Sequence, residues 1–384
     1  MKFKINQEDF AKSLLLVNKS LPQKANLPVL ANILLWADAG RVEVLATDLE
    51  TATLTSVPCQ TASEGKTTVP GRILTEFIAQ LPGGEITVET LGEEVVVSTK
   101  RHNARFATMP TEDFPAIPKI EKGLSFRLPA GDLYRAISRV AFCAAVDEGR
   151  PVLTGVLCEV GKDGLSVVAT DGYRLSFQKV SLARKEGPQI KILIPARAMI
   201  EIGKLVSEVD EPERDVEVVV GEGLNQINFK INSSGDGVSV EFTSRLIEGE
   251  FPAWQKIIPA NFSSRARIAR DELLRLVRIA SIFARDSGNI IRFKLEAQGN
   301  SKTSTLKIFA NSSQVGSNEA QCDIELVGKG GEIAFNFRYL LEMLNSVEGD
   351  EVNFEMIESL NPGKLTIAGE DDYFQIIMPV RLQS

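Results

Sequence analysis

Three features of the sequence predict an α+β protein made of three like domains: a long segment that recurs, a helical pattern that recurs with it, and alternating strand runs around both. The segment PVLANILLWADAGRVEVLATD, residues 28–48, returns without a gap as PVLTGVLCEVGKDGLSVVATD, residues 151–171, and a looser third copy lies at 290–312. VPGRILTEF, IPARAMIEI and FNFRYLLEM each open a helical pattern with Arg and Glu four apart: Arg72 with Glu76, Arg197 with Glu201, Arg338 with Glu342. Repeats of domain size point to a quasi-symmetric assembly rather than to a single active-site cleft.

Taken in order, KFKIN reads as a strand and EDFAKSLLLVNKSL as a helix, followed by the strands ILLW, VEVLAT and ATLTSV. TTV then leads into the helix RILTEFIAQL and the strands EITVET, EVVVST and ARFATM. Alternation of apolar and polar residues in the strand runs is that of half-buried antiparallel sheets, and the same order repeats to give two helices and about eight strands per domain. The second helix of each copy carries an apolar stripe at helical spacing: Leu74, Phe77, Ile78 and Leu81; Met199, Ile202 and Val206; Leu340, Met343, Leu344 and Val347. Two helices cannot cover both faces of such sheets, so they should gather on one side of each domain. The proline-bearing stretches DFPAIP (113–118) and EFPAWQKIIP (250–259) suit neither helix nor central strand and read as linkers, giving domains at 1–120, 121–259 and 260–384.

The 384 residues are 43% hydrophobic and 24% charged, with no apolar run of the ~20 residues that a membrane helix needs. MKFKINQEDF lacks the pattern of a signal peptide, so the expected compartment is the cytoplasm. Cys59, Cys143, Cys158 and Cys322 are scattered and are expected to be buried thiols, not a disulfide or metal framework. No cofactor is expected.

Catalytic material is sparse. The single histidine, His102, sits in the polar turn KRHNAR, which leaves nothing for a Ser-His-Asp triad or a multi-histidine metal site. Gly65-Lys66-Thr67 looks like the end of a phosphate loop, but Gln60 stands where the earlier glycine is required. Gly221-Glu222-Gly223 fails as a dinucleotide fingerprint at Gln226.

A net charge of −8 normally argues against nucleic acid, yet the basic residues are not evenly spread. They fall opposite the apolar stripe of the first helices as Lys12, Lys19, Arg135, Arg139, Arg275 and Arg278. The second helices add Arg72, Arg197, Lys204 and Arg338, and Lys24 follows the first helix. An ordinary solvated helix face explains any one stripe; three stripes on a common side would add up to a positive surface able to hold phosphates without reading bases.

At this point the chain resembles, over its whole length, the sliding-clamp family, the β subunits of bacterial DNA polymerase III. The resemblance rests on the MKF opening, LPVL with ATD downstream, RPVLTG with ATDGYRLS, EGEFPAW and the terminal IIMPVRL. It implies the DNA-clamp fold: a head-to-tail homodimer closed into a ring around duplex DNA, with helices lining the hole and sheets outside. It implies a non-catalytic processivity factor that tethers the catalytic subunit of the replicative polymerase, is placed by a clamp-loader ATPase, and serves other polymerases and repair proteins through short clamp-binding peptides.

By this resemblance Phe106 and Thr108 on one side and Ile282 and Phe283 on the other lie at the dimer seam. Lys24 matches a DNA-contacting arginine and Arg197 a contacting lysine, Asp147 replaces a polar contact residue, and Arg72, Arg150 and Arg338 join them from the charge reading. The peptide pocket takes Leu153, Thr170, Gly172, Tyr173, Arg174 and Leu175, then Pro252 and Ile257, then Ile376, Met378, Pro379, Val380, Arg381 and Leu382. An apolar rim of this kind accepts a Leu or Phe anchor, and Arg can hold peptide carbonyls. Read without the family, IIMPVRL is a last strand and tail. Lys256 stands where the family often has Arg, Val380 where Met is frequent, and Gln383 and Ser384 extend past the usual final Leu. Two other classes compete: an enzyme would need a cleft with perturbed ionisable groups, and a self-associating β-rich scaffold without nucleic acid would show no bias of Lys and Arg toward the helices.

Overall fold

The structure, a computed structural model, describes residues 1–117, 120, 122–147, 149–182, 189–208, 212–223, 225–232, 237–297 and 304–381. The first repeat runs β1 (Lys2–Asn6), α1 (Gln7–Asn18), β2 (Asn32–Asp38), β3 (Arg41–Thr47), β4 (Thr51–Pro58), β5 (Gln60–Ser63), β6 (Gly65–Pro70), α2 (Gly71–Gln80), β7 (Glu85–Leu91), β8 (Glu94–Ser98) and β9 (Asn103–Ala107). The second runs β10 (Gly123–Pro129), α3 (Ala130–Val140), β11 (Gly155–Gly161), β12 (Gly164–Thr170), β13 (Arg174–Val180), β14 (Ile190–Pro195), α4 (Ala196–Val206), β15 (Asp215–Gly221), β16 (Gln226–Ile231) and β17 (Ser239–Arg245). The third runs β18 (Ser264–Ala269), α5 (Arg270–Ala284), β19 (Ile290–Glu296), β20 (Ser304–Ser312), β21 (Gly316–Gly328), β22 (Gly331–Asn336), α6 (Phe337–Ser346), β23 (Glu351–Met356), β24 (Gly363–Ile367) and β25 (Tyr373–Ile377). All strand pairs are antiparallel. The α+β prediction of two helices per repeat therefore holds.

Local sequence explains the elements. In β1, Phe3 and Ile5 are buried while Lys2 and Lys4 face out to Glu89 (3.0 Å) and Glu85 (2.8 Å) on β7. Asn6 ends the strand and caps α1, its side chain accepting from the backbone N–H of Glu8 at 2.8 Å. Helix α1 then buries Phe10, Leu14 and Val17, with Phe10 edge-on to Phe3 at 6.2 Å. Gly71 opens α2 because its backbone lies against Leu21 and Ile33; a Cβ there would meet their side chains at 2.5 and 2.9 Å. Asn336 caps α6 by accepting from Arg338 N at 3.0 Å. The stripe residues Leu74, Ile78, Leu340, Met343 and Leu344 are buried as expected, and α1 packs on α2 as α5 packs on α6. The linker stretches are not wholly extended: one-turn 3-10 helices form at Thr111–Asp113 and Trp254–Ile257.

The chain divides into two compact units, residues 1–133 with 200–246 and residues 134–199 with 247–384, so each holds one whole repeat and half of the middle one. The first unit carries a five-stranded sheet, β5-β1-β7-β8-β9, and an eight-stranded sheet, β10-β15-β16-β17-β4-β3-β2-β6. Its core gathers Phe3, Phe10, Leu35, Leu74 and Ile78. In the second, one twelve-stranded sheet runs β14-β11-β12-β13-β25-β24-β23-β18-β21-β20-β19-β22, over a core around Phe293, Phe335 and Phe354. The three rings meet edge-to-face at 5.8 Å.

One rule joins the repeats: the last strand of a repeat pairs with the fourth strand of the repeat before it. β17 pairs with β4, Phe242 opposite Thr53, and β25 pairs with β13, Gln375 opposite Ser176. β9, the last strand of the first repeat, ends its sheet. β21 occupies the fourth place in the third repeat; it pairs with β20 from Gly316 to Ile324 and reaches β18 only from Glu325 to Gly328. In the first repeat Pro58 and Cys59 break the corresponding run into β4 and β5, as a residue without an N–H favours.

Candidate functional sites

The recurring Ala-Thr-Asp is the physical signature of a turn. In the second repeat Thr170 Oγ1 donates to Arg174 O (2.6 Å) and accepts from Gly172 N (3.0 Å), while Asp171 Oδ1 accepts from Tyr173 N (2.8 Å) and Arg174 N (3.0 Å). The first repeat builds the same turn: Thr47 Oγ1 with Thr51 O (2.7 Å) and Leu49 N (3.0 Å), Asp48 Oδ1 with Glu50 N (3.1 Å) and Thr51 N (2.7 Å). The turn needs a left-handed residue, Gly172 at φ +91° in one copy and Leu49 at +78° in the other.

Arg174 begins β13 and is buried, and it holds the surroundings of this turn together. Its guanidinium donates to Asp171 Oδ2 (3.1 Å), to Glu342 on α6 and to the carbonyl of Phe142 (2.8 Å). It lies over the Tyr339 ring at 4.5 Å and the Phe142 ring at 5.3 Å. Burial opposes the charge, but Cys143, Glu342 and Asp171 together outweigh it and hold the guanidinium above its ordinary value. Burial also pushes the Tyr339 phenol up, with Asp171 adding to it, and drives the Cys143 thiol beside them far above the thiol range.

With its donors committed internally, Arg174 positions the turn, whereas Arg381 is exposed. The residues that engage it, Phe142, Tyr339 and Glu342, escaped sequence reasoning, which took Glu342 for the helical partner of Arg338. Glu201 pairs with Lys204 at 3.3 Å.

Strand pairing brings the pocket residues of the second repeat onto the tail. Leu175 lies opposite Ile376, and Met378 N donates to Tyr173 O at 2.8 Å. Val380 N donates to Ala334 O at 2.8 Å, which ties the tail down to its half-buried Pro379 and Val380. Leu153, Leu175, Ile376 and Thr170 are buried, Leu175 and Ile376 within one apolar cluster, whereas Tyr173 (61% exposed), Ile257 (43%), Met378 (38%) and Pro252 are exposed. Pro252 and Ile257 are set by Trp254 between them, which is buried against Phe177 and Phe374. Leu382, Gln383 and Ser384 lie outside the described residues. The site is an apolar lip over a rigid, hydrogen-bonded base, suited to an apolar anchor residue.

The basic residues divide. Lys24, Arg72, Arg135, Arg150, Arg197, Lys204, Arg275, Arg278 and Arg338 are exposed. Arg139 is not a surface cation: it is 4% exposed, pairs with Glu370 at 2.6 Å, donates to Gln178 Oε1 at 3.1 Å and lies over Tyr373. The helical wheel put it on the polar face, but the partner carboxylate on the β24–β25 turn draws it inward. Arg150 leans on the pocket turn, donating to Asp171 O at 3.3 Å. Arg278 donates to Asn345 Oδ1 at 2.9 Å, and Arg72 to Pro22 O at 3.1 Å.

Of the seam residues, Phe106 on β9 packs into its own core against Phe77 (5.7 Å), and Thr108 Oγ1 donates to Glu93 O. Ile282 is exposed, and Phe283 packs half-buried on the third-repeat core.

Among the described residues there is no cluster of His, Cys, Asp or Glu placed to hold a metal, and no helix long and apolar enough to cross a membrane. His102 is exposed in its turn. Cys143, Cys158 and Cys322 are buried, with burial pushing the latter two up to about 12, whereas Cys59, expected to be buried, is only partly covered because it sits at the break between β4 and β5.

Three repeats of one α+β unit, joined strand to strand, make up the DNA-clamp fold. Family models for the N-terminal, central and C-terminal domains of the DNA polymerase III beta subunit match residues 1–118, 127–253 and 255–381, and the chain belongs to that family. It is 29% identical to a beta sliding clamp of Synechocystis over 402 residues, with both chains covered in full. The beta sliding clamp of Escherichia coli K12 is also 29% identical, over 384 residues and again with full coverage of both. Among solved structures, a sliding clamp from Pseudomonas aeruginosa bound to griselimycin superposes with a TM-score of 0.90 at 28% identity, covering 100% of both chains.

Proposed function

We propose that this protein is a non-catalytic sliding clamp that encircles duplex DNA as a head-to-tail dimer and tethers a DNA polymerase to it. The observation that carries this is the strand-joining rule. It is satisfied twice within the chain and leaves without a partner, among the described residues, the outer side of β9 and, over residues 316–324, the side of β21 that does not face β20. Joining β9 of one copy to β21 of a second extends the same rule between chains, a heterologous contact that closes when two copies make it twice. Exposed Ile282 lies in the third repeat of such a seam, and Phe106 and Thr108 lie on or beside β9. Six repeats then complete one closed body, and membership of the family favours this reading over a scaffold that binds no nucleic acid.

Lys24, Arg72, Arg135, Arg150, Arg197, Lys204, Arg275, Arg278 and Arg338 supply the phosphate contacts. Such contacts are screened by salt and blind to sequence, so they keep the duplex centred while enclosure supplies processivity. The lip formed by Tyr173, Pro252, Ile257 and Met378 receives short peptides from the polymerase catalytic subunit, the clamp loader and repair proteins, in the cytoplasm. The domain boundaries at 120 and 259 make each domain one copy of the repeat.

The test is topological. The purified dimer, loaded on closed circular DNA, should remain bound at moderate salt and slip off once the circle is cut; equal retention on both forms sinks the proposal. A second measurement addresses the lip: Met378→Ala with Leu382→Ala should weaken binding of a polymerase tail peptide at least about tenfold while the dimer mass stays unchanged. If the dimer is lost instead, the tail is structural.

A further inference from the structure

The two junctions between repeats are built alike but not filled alike. The offset from residue 28 to residue 151 equates Leu54 with Phe177 and Ala52 with Leu175. The shared Phe-Pro-Ala of the linkers equates Ile117 with Trp254 and Ile120 with Ile257. The strand registers, Phe242 opposite Thr53 and Gln375 opposite Ser176, equate Glu241 with Phe374 and Thr243 with Ile376.

At the second junction Phe177 and Phe374 stack at 4.8 Å between ring centroids, and Trp254 lies tilted against both at 5.3 and 6.5 Å. At the first junction the three rings become Ile117, Leu54 and Glu241, and Leu175 and Ile376 become Ala52 and Thr243. Every exchange removes volume or apolar surface. Glu241 turns to Lys230 at 3.6 Å. What remains beneath the linker is a cavity of about 700 Å³ whose walls include all of these first-junction residues together with Trp36 and Asn228.

Its size is that of a small-molecule site; eleven of its nineteen lining residues are apolar, and the other eight include the charged Glu43, Lys66, Glu112, Lys230 and Glu241. Lys66 Nζ sits 3.8 Å from the centroid of the Trp36 ring, placing a cation and an aromatic face in the wall. Asn228 is 7% exposed; its amide nitrogen donates to Thr243 Oγ1 at 2.8 Å, while its Oδ1 is buried with no partner. That oxygen is enclosed, so the acceptors a bound donor can reach are the wall carboxylates Glu43 and Glu241.

We propose that the first junction is a second ligand site, distinct from the peptide lip, which takes an aromatic ring bearing a hydrogen-bond donor, of the indole or phenol type. The ring occupies the volume that Trp254 and its ring partners fill at the second junction, and a wall carboxylate, Glu43 or Glu241, accepts its N–H or O–H. This ring chemistry can come from a partner's side chain or from a free small molecule.

The test is a titration of the full-length protein with indole, followed through the methyl resonances of Ile117 and Ile120. Saturable shifts at these methyls are expected, and indene, which lacks the N–H, should bind about three- to tenfold more weakly. Filling the space by Ile117→Trp, or more gently by Leu54→Phe, should weaken indole at least about tenfold at the Ile120 methyl. A blocked Trp-containing pentapeptide that binds more tightly than indole identifies a partner side chain as the source; indole bound with the peptide excluded identifies a free small molecule. No saturable shift at Ile117 or Ile120, binding indifferent to both filling variants, or shifts confined to Ile257 overturns the proposal.

Discussion

The first and second junctions begin from the same backbone. Each has the Thr-Asp turn with its four hydrogen bonds, the same register between a last and a fourth strand, and a linker opening on Phe-Pro-Ala. They differ in what the side chains do with that frame. The second is filled by three rings in mutual contact and braced by Arg174, so the rim residues Tyr173 and Met378 stand on a stiff base. The first puts Thr51 where Arg174 stands and leaves a cavity in place of the rings. Repetition thus supplied geometry, and substitution made one copy a rigid platform and the other a hollow.

The largest effect that can break this comparison is removal of the central ring. Trp254→Ala should destabilise the protein by about 3–5 kcal/mol, because the Phe177 and Phe374 faces lose their partner and the site cannot collapse. Ile117→Ala should cost far less, about 1 kcal/mol, since its surroundings are already open. Denaturant midpoints of the two variants measure the difference. Equal losses would mean that the first junction is as tightly filled as the second.

Next in size is the brace. Arg174→Ala leaves Asp171 and Glu342 without their cation; since Glu342 is half exposed, about 2–3 kcal/mol is expected, less than for a fully buried pair. Arg174→Lys should recover little, because one ammonium cannot reach two carboxylates and a carbonyl while stacking on Tyr339. Thr51→Ala, at the matching place, should stay within about 1 kcal/mol. Thermal unfolding of the three variants ranks them, and full rescue by lysine would reduce the brace to simple charge.

How much of this was legible in the sequence depends on how far apart the interacting residues are. The Thr-Asp turn and the helical stripes could be read, because their hydrogen bonds and apolar spacings lie within a few residues of one another. Arg139 could not: its carboxylate, Glu370, is 231 positions away, and a helical wheel knows only its own helix. Glu342 was assigned to Arg338 for the same reason, four residues away, when Arg174 at a separation of 168 holds it. The exchange of Trp254 for Ile117 is plain in the two linker sequences. Its consequence needed the strand register, which brings Phe374 or Glu241 beneath each linker. The joining rule across repeats, from which the seam is argued, is likewise a property of strand order that no single repeat displays.

The smallest predicted effect tests the turn itself. Leu49 holds a left-handed conformation that costs a residue with a Cβ about 1–2 kcal/mol, and its side chain is half exposed, so little burial offsets that strain. Leu49→Gly relieves the strain but frees the unfolded chain by about 0.5–1 kcal/mol, leaving a net gain of about 0.5 kcal/mol. The reverse exchange is not its mirror image. Gly172→Leu adds the strain and also places a Cβ 3.2 Å from Arg150 Nη1, so its loss should exceed the gain at Leu49 and should carry through to the Tyr173 carbonyl that holds Met378. Urea titrations of both variants, with peptide binding measured alongside, decide the matter. Equal and opposite shifts, with binding untouched, would show that the second turn is no more tightly coupled to its surroundings than the first.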